Sequence, residues 1–200
     1  MSIILVLNIN NHRPERPAGY ACSNGPCEDL NINSRQRKLR HLSKYTASQR
    51  DQMSTYKQII YHIVFATKNR ERVLDKPRRD ELFRYIWGII KNNECHLLRL
   101  NGIEDHLHIL TSLHPTVSLA SLVKAVKTGS SKWIKENRLF PGFEQWQNGY
   151  GAFTHSIREK DALIEYIKNQ EQHHRRVDFL DEYRKLLREA EIEFDEKYLP

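Results

Sequence analysis

Residues 94–113 read ECHLLRLNGIEDHLHILTSL, two short β-favouring runs on either side of Asn101-Gly102. Asn-Gly between such runs is a strong hairpin signal, so strands are predicted over 94–100 and 105–113. The flanking sequence narrows the fold further. Upstream, KQIIYHIVFAT (57–67) is β-branched and aromatic, a strand apolar on both faces, and Pro77 then opens a helix whose buried stripe is Leu82, Ile86, Ile89 and Ile90. Downstream, His114-Pro115 ends the hairpin, and residues 118–135 place Leu119, Leu122, Val123, Val126, Trp133 and Ile134 at helical spacing. YGAFTHS (150–156) is a fourth strand, after which Ser156 and Glu159 form a capping box for a helix running to about His174. This order predicts an α/β (α+β) fold, a ferredoxin-like split βαββαβ antiparallel sheet. Two helices would lie on one face, and the last would be free to cover the other.

In the second hairpin strand, His106 and His108 stand at i and i+2. Both imidazoles therefore share one face, and Leu107 and Ile109 take the other. Two imidazoles a pleat apart can hold a metal ion, but on their own they are more often hydrogen-bonded strand residues. The last helix, DALIEYIKNQEQHH (161–174), brings Tyr166 and Gln170 one turn apart on one face, beside an apolar stripe of Leu163, Ile164 and Ile167. With that helix across the open sheet face, a phenol, a carboxamide oxygen and two imidazoles can converge. Gln170 would be the third metal ligand. A phenol with its ordinary pKa of about 10 is a poor nucleophile at neutral pH. A divalent ion bound to a phosphodiester makes phosphorus more electrophilic and eases loss of the phenolic proton. The tyrosine ester so formed conserves the phosphodiester bond, which a 3′-hydroxyl can re-form without ATP. Imidazole and amide ligands are compatible with Mg²⁺ or Mn²⁺ without fixing which.

DHLHIL, then WQNGYGAF, then YIKNQ about sixty residues beyond the histidines resemble the HUH single-tyrosine transposases of the insertion-sequence 200/605 type. The resemblance runs from Met53 to Pro200, taking in YKQIIYHIVFATKNR and FDEKYL. It implies that His106, His108 and Gln170 are metal ligands and that Tyr166 is the nucleophile. It also implies cleavage and rejoining of single-stranded DNA at element ends, with a 5′-phosphotyrosine link and a free 3′-hydroxyl. Hairpins near the cut would be recognised, and the enzyme would work as a homodimer in which a tyrosine can serve the partner's histidines. A domesticated relative acting on repetitive palindromes fits the same motifs. So does a non-catalytic nucleic-acid-binding module of the same fold, but that reading expects aromatics where the histidines stand and leaves Tyr166 and Gln170 unexplained. A two-histidine phosphoesterase needs a second HxH motif, and the sequence has one.

A formal net charge of +7 points to a polyanionic partner. Lys124, Lys127, Lys132 and Lys135 on helix 118–135, with Lys68 and Arg70 in KNRER, are the candidate DNA contacts. No apolar run reaches membrane-span length. Three cysteines give no disulfide framework, so a reducing, cytoplasmic setting is expected, with the protein on the nucleoid when bound to DNA. Residues 1–52 show no sustained periodicity and read as a disordered extension or as sequence upstream of a mis-set start, Met53 being the second of two methionines. The spacing of Cys22, Cys27, His12 and His41 matches no usual zinc pattern. Residues 53–176 would be the catalytic domain and 177–200 an acidic, solvated helical tail. Three further side chains are expected to be structural: His62 as a hydrogen-bonded sheet histidine, Tyr150 in a turn, and Asp105 in a turn with its side chain pointing away from the histidines.

Overall fold

The computed structural model describes residues 56–200. The expectations for residues 1–52, the start at Met53 and the Cys22–Cys27 pair lie outside the described residues. Strands β1 (Ile60–Ala66), β2 (His96–Gly102), β3 (His106–Ser112) and β4 (Gly151–His155) form one antiparallel sheet in the order β2-β3-β1-β4. Helix α1 (Lys76–Asn92) connects β1 to β2, and α2 (Leu119–Glu136) connects β3 to β4. This is the expected split βαββαβ arrangement. Period two puts Ile63, Phe65, Leu107 and Ile109 on one face, where Leu82, Ile86, Ile90, Leu122, Val126 and Ile134 cover them. Ser118 caps α2, its side chain accepting the Ser121 backbone N–H at 3.2 Å.

The hairpin turn sits slightly later than Asn101-Gly102, because both residues still belong to β2. Gly102 is there for close approach: a Cβ on it would lie 2.2 Å from the His106 carbonyl oxygen. Asn101 pairs with His108 across the ladder, so its side chain lies on the histidine face.

The opposite face carries three helices: α3 (Lys160–Lys168), α4 (Gln170–His173) and α5 (Phe179–Glu189). The capping box at Ser156 and Glu159 is formed, but the helix expected to reach His174 breaks at Asn169. Asn101 explains the break. Its Nδ2 donates to the carbonyls of Ile167 and Lys168 at 2.8 and 3.0 Å, drawing off oxygens at the C-terminus of α3. α3 packs Leu163, Ile164 and Ile167 over Ile60, Leu98 and Leu110. α5 packs Phe179, Tyr183 and Leu187 over Val64, Ala66 and Phe153. Gly151 admits that helix, since a Cβ there would stand 2.9 Å from the Tyr183 ring and hydroxyl. The expectation of a solvated tail therefore holds for one face of α5 only. Asp181, Lys185 and Glu189 are exposed, and Phe179, Glu182, Tyr183 and Leu187 are buried. Between the two apolar patches lies a polar band of His62, His106 and His108. No helix among the described residues is long and apolar enough to cross a membrane.

Candidate active site

β3 presents His106 and His108 to the face under α3–α5, and both are fully buried. The Nδ1 atom of each is engaged. His106 Nδ1 pairs with Asp105 Oδ1 at 2.7 Å, and His108 Nδ1 with His62 Nε2 at 2.9 Å. His62 is thus the hydrogen-bonded sheet histidine expected, and its partner is the site itself. Asp105 departs from expectation. β3 begins at His106, so Asp105 belongs to the turn, escapes strand alternation and folds back onto its neighbour. It is 1% exposed, with the Arg70 guanidinium 3.7 Å away. Burial works against its charge, but the His106 bond and Arg70 hold the carboxyl below its usual range. Such outer partners fix the tautomer and aim of a ligating imidazole.

With Nδ1 occupied, the Nε2 atoms of His106 and His108 point inward and have no hydrogen-bond partner among the described residues. Burial drives His106 down to about 4, against the Asp105 bond and with the help of His108. Burial also lowers His62 well below its ordinary value. His106 and His62 are therefore neutral at physiological pH, the form in which an imidazole binds metal.

The helices bring the remaining groups. Glu182 of α5, 2% exposed, sits at the centre. Its Oε2 lies 3.1, 3.5 and 3.9 Å from the Nε2 atoms of His174, His108 and His106. His174 Nε2 and that oxygen are close but not aligned as a hydrogen bond, and neither has another partner among the described residues. The His174 ring is aimed by Nδ1, which pairs with the Val177 carbonyl at 3.0 Å. Tyr166 donates its hydroxyl to Glu182 Oε1, and Gln170 Nε2 donates to the same oxygen at 3.1 Å. The carboxamide oxygen of Gln170, in a fully buried residue, is left without a partner.

Burial would raise Glu182, but contacts from His108, His174 and Tyr166 hold it far below the usual carboxylate range. The same buried charge, added to desolvation, pushes the Tyr166 phenol well above its ordinary value. The phenol is therefore protonated at neutral pH. His106, His108, His174 and Glu182 offer one ligand atom each, all within 4.8 Å of one another, a set capable of coordinating a divalent metal ion. Orphaned nitrogens around an orphaned carboxylate oxygen, with an orphaned amide oxygen nearby, fit a cation of the Mg²⁺ or Mn²⁺ kind.

Tyr166, Gln170, His106 and His108 are thus brought together, as their spacing suggested. His174 and Glu182 were not foreseen. The Phe179–Tyr183–Leu187 spacing, one residue per helical turn, signals that α5 packs, and it sets Glu182 beside the packed stripe. Of the basic candidates, Arg70 borders the site through Asp105, and the others are spread elsewhere. α2 lies on the sheet face opposite the histidines. There Lys127 donates to the Gln147 and Gly149 carbonyls at 2.6 Å each, and Lys132 stands 3.7 Å from Glu136. Lys124 and Lys135 are exposed. Lys68 pairs with Glu144 at 2.6 Å, and Arg70 with Asp178 at 3.1 Å. A cleft of about 520 Å³ opens instead onto Tyr166, walled by Asn169, Gln172, His173, Arg175 and Arg176. Both arginines are exposed, with no carboxylate in ion-pair range among the described residues.

Residues 55–170 match the family described as "Transposase IS200 like". The ISDra2 transposase TnpA of Deinococcus radiodurans is 26% identical over 123 residues, 56% of this chain and 84% of that protein. The transposase for insertion sequence element IS200 of Salmonella typhimurium is 27% identical over 116 residues, 55% of this chain and 75% of that protein. A solved REP-associated tyrosine transposase bound to a REP hairpin aligns with a TM-score of 0.46 and 13% identity, covering 61% of this chain and 74% of that one.

Proposed function

We propose that this chain, a member of the IS200-like transposase family, nicks and rejoins single-stranded DNA through a 5′-phosphotyrosine link on Tyr166. Its ligands for Mg²⁺ or Mn²⁺ would be His106, His108 and Gln170. The observation that carries this reading is the meeting at Glu182, where the Tyr166 hydroxyl binds one carboxylate oxygen and the imidazole Nε2 atoms face the other. A bound cation would polarise the phosphoryl oxygens and offset the carboxylate field that keeps the phenol protonated. The residues of the chain do the rest. Asp105 and His62 aim the imidazoles. Asn101 fixes the end of α3, one and two residues past Tyr166. Within one chain, the phenol already reaches the histidine cluster.

In the cleavage step the phenolic oxygen bonds to phosphorus, the bond from phosphorus to the 3′-oxygen breaks, and that oxygen leaves as a hydroxyl. The number of phosphoester bonds is unchanged, so the reverse step needs no nucleotide cofactor. DNA would reach Tyr166 by the cleft beside Arg175 and Arg176, which offer two uncompensated positive charges at its mouth. Lys124 and Lys135 are proposed contacts for DNA lying farther from the cut, and Lys68, Arg70, Lys127 and Lys132 would have to exchange internal partners to join them. Strands bearing hairpins are the proposed substrates and a homodimer the proposed assembly. The proposed catalytic domain is residues 53–176, with the 177–200 segment closing over it.

The test uses 3′-labelled single-stranded DNA bearing a hairpin, incubated with Mn²⁺ or Mg²⁺ and run on a denaturing protein gel. A labelled protein band is expected. It should vanish with EDTA and in Tyr166→Phe, and persist in Tyr150→Phe, a residue 39% exposed. A band that survives in Tyr166→Phe refutes the assignment.

A further inference from the structure

We propose that Glu182 couples cation binding to placement of the nucleophile, one carboxylate oxygen completing the cation's ligand set and the other holding the Tyr166 phenol. The inference rests on reading the histidine pair as a cation site. It concerns a residue beyond position 170, where the family match ends.

Three observations carry it. First, the two oxygens differ in their contacts: Oε2 faces the Nε2 atoms of His174, His108 and His106, and Oε1 accepts from Tyr166 and Gln170, with His173 Nε2 at 3.7 Å. Second, Oε2 is buried and has no hydrogen-bond partner among the described residues, and neither have the three nitrogens around it. An ionised carboxylate taken out of water is costly unless a cation joins it. Third, the packing of α5 does not depend on this carboxylate. Phe179, Tyr183 and Leu187 anchor the helix on Val64, Ala66 and Phe153. A carboxylate carried by an independently anchored helix into the centre of the histidine cluster is placed for a role other than holding that helix. Two ligands on one rigid group have a thermodynamic consequence. Whatever binds at Oε2 changes the acceptor strength of Oε1, and by linkage the phenol contact changes cation affinity.

The test uses the full chain and two readouts independent of DNA cleavage: Mn²⁺ affinity by calorimetry, and the ¹³Cζ resonance of Tyr166 followed as Mg²⁺ is added, assigned by its loss in Tyr166→Phe. In the unsubstituted chain the cation should shift that resonance. In Glu182→Gln, affinity should fall about 10- to 100-fold, the range seen when a metal site loses a supporting group, and the resonance should no longer respond. Glu189→Gln, on the exposed side of the same helix, should match the unsubstituted chain in both. Unchanged affinity in Glu182→Gln overturns the proposal. So does a resonance that still follows the cation, or a Glu189→Gln protein that behaves like Glu182→Gln. His106→Ala separates the two levels of inference. Its loss of Mn²⁺ binding beside an unaffected Glu182→Gln would sink the coupling alone, and unchanged binding in both would remove the cation from the functional reading as well.

Discussion

His106 should make this protein acid-sensitive in a way that can be isolated. Its folded pKa is lowered from 6.5 to about 4 by burial. In the unfolded chain it regains the ordinary value. Between those limits the unfolded state binds the proton and the folded state does not, so stability is fully present above pH 6.5 and is lost as pH falls toward 4. At about 1.36 kcal/mol per pH unit, the gap amounts to about 3 kcal/mol, a large fraction of the stability of a domain this size. His174 works in the opposite sense. Burial opposes its charge, but Glu182 raises it above the ordinary value, so its contribution is present at low pH and fades as pH rises. Its ring lies 4.5 Å from that of His106, so subtracting the His106→Gln curve reports the coupled pair, with the His106 term the larger. The assay is urea unfolding with EDTA present, followed by tryptophan fluorescence from pH 7.5 to 4. The unsubstituted chain should lose about 3 kcal/mol more over that span than His106→Gln. Parallel curves would refute the account of a neutral, buried imidazole, and with it the claim that the site is held ready for metal at neutral pH.

Arg175→Ala combined with Arg176→Ala should weaken binding of short single-stranded DNA and flatten its salt dependence. The slope of log affinity against log salt should fall by about 1.4 for two lost phosphate contacts, while Mn²⁺ affinity stays unchanged. Asn101→Ala removes the donor to two carbonyls at the end of α3. It should cost about 1–3 kcal/mol in urea unfolding and slow adduct formation by moving Tyr166, with DNA affinity little changed.

Much of this molecule is written in local pattern. Alternating and helical periods in residues 57–174 gave the strand and helix order. Period two put His106 and His108 on one face, and the four-residue interval put Tyr166 and Gln170 on another. These features depend on neighbours within a turn or a pleat, which is why a single sequence displays them. The turn at Asn101-Gly102 was legible in kind but not in place, because Gly102 is required by the approach of the His106 carbonyl and not by a turn conformation. Asp105 was misjudged because where a strand begins decides whether alternation applies to the residue before it. Glu182 is one of eight acids between Asp178 and Glu196, and the apolar stripe beside it shows that the helix packs but not what it packs against. Only the docking of α5 on β1 and β4, admitted by Gly151 and driven by burial of Phe179, Tyr183 and Leu187, turns that carboxylate inward to meet imidazoles more than seventy residues away along the chain. Periodicity tells which side of an element a residue occupies. Which element faces it depends on long-range burial, and that meeting determines the chemistry of this site.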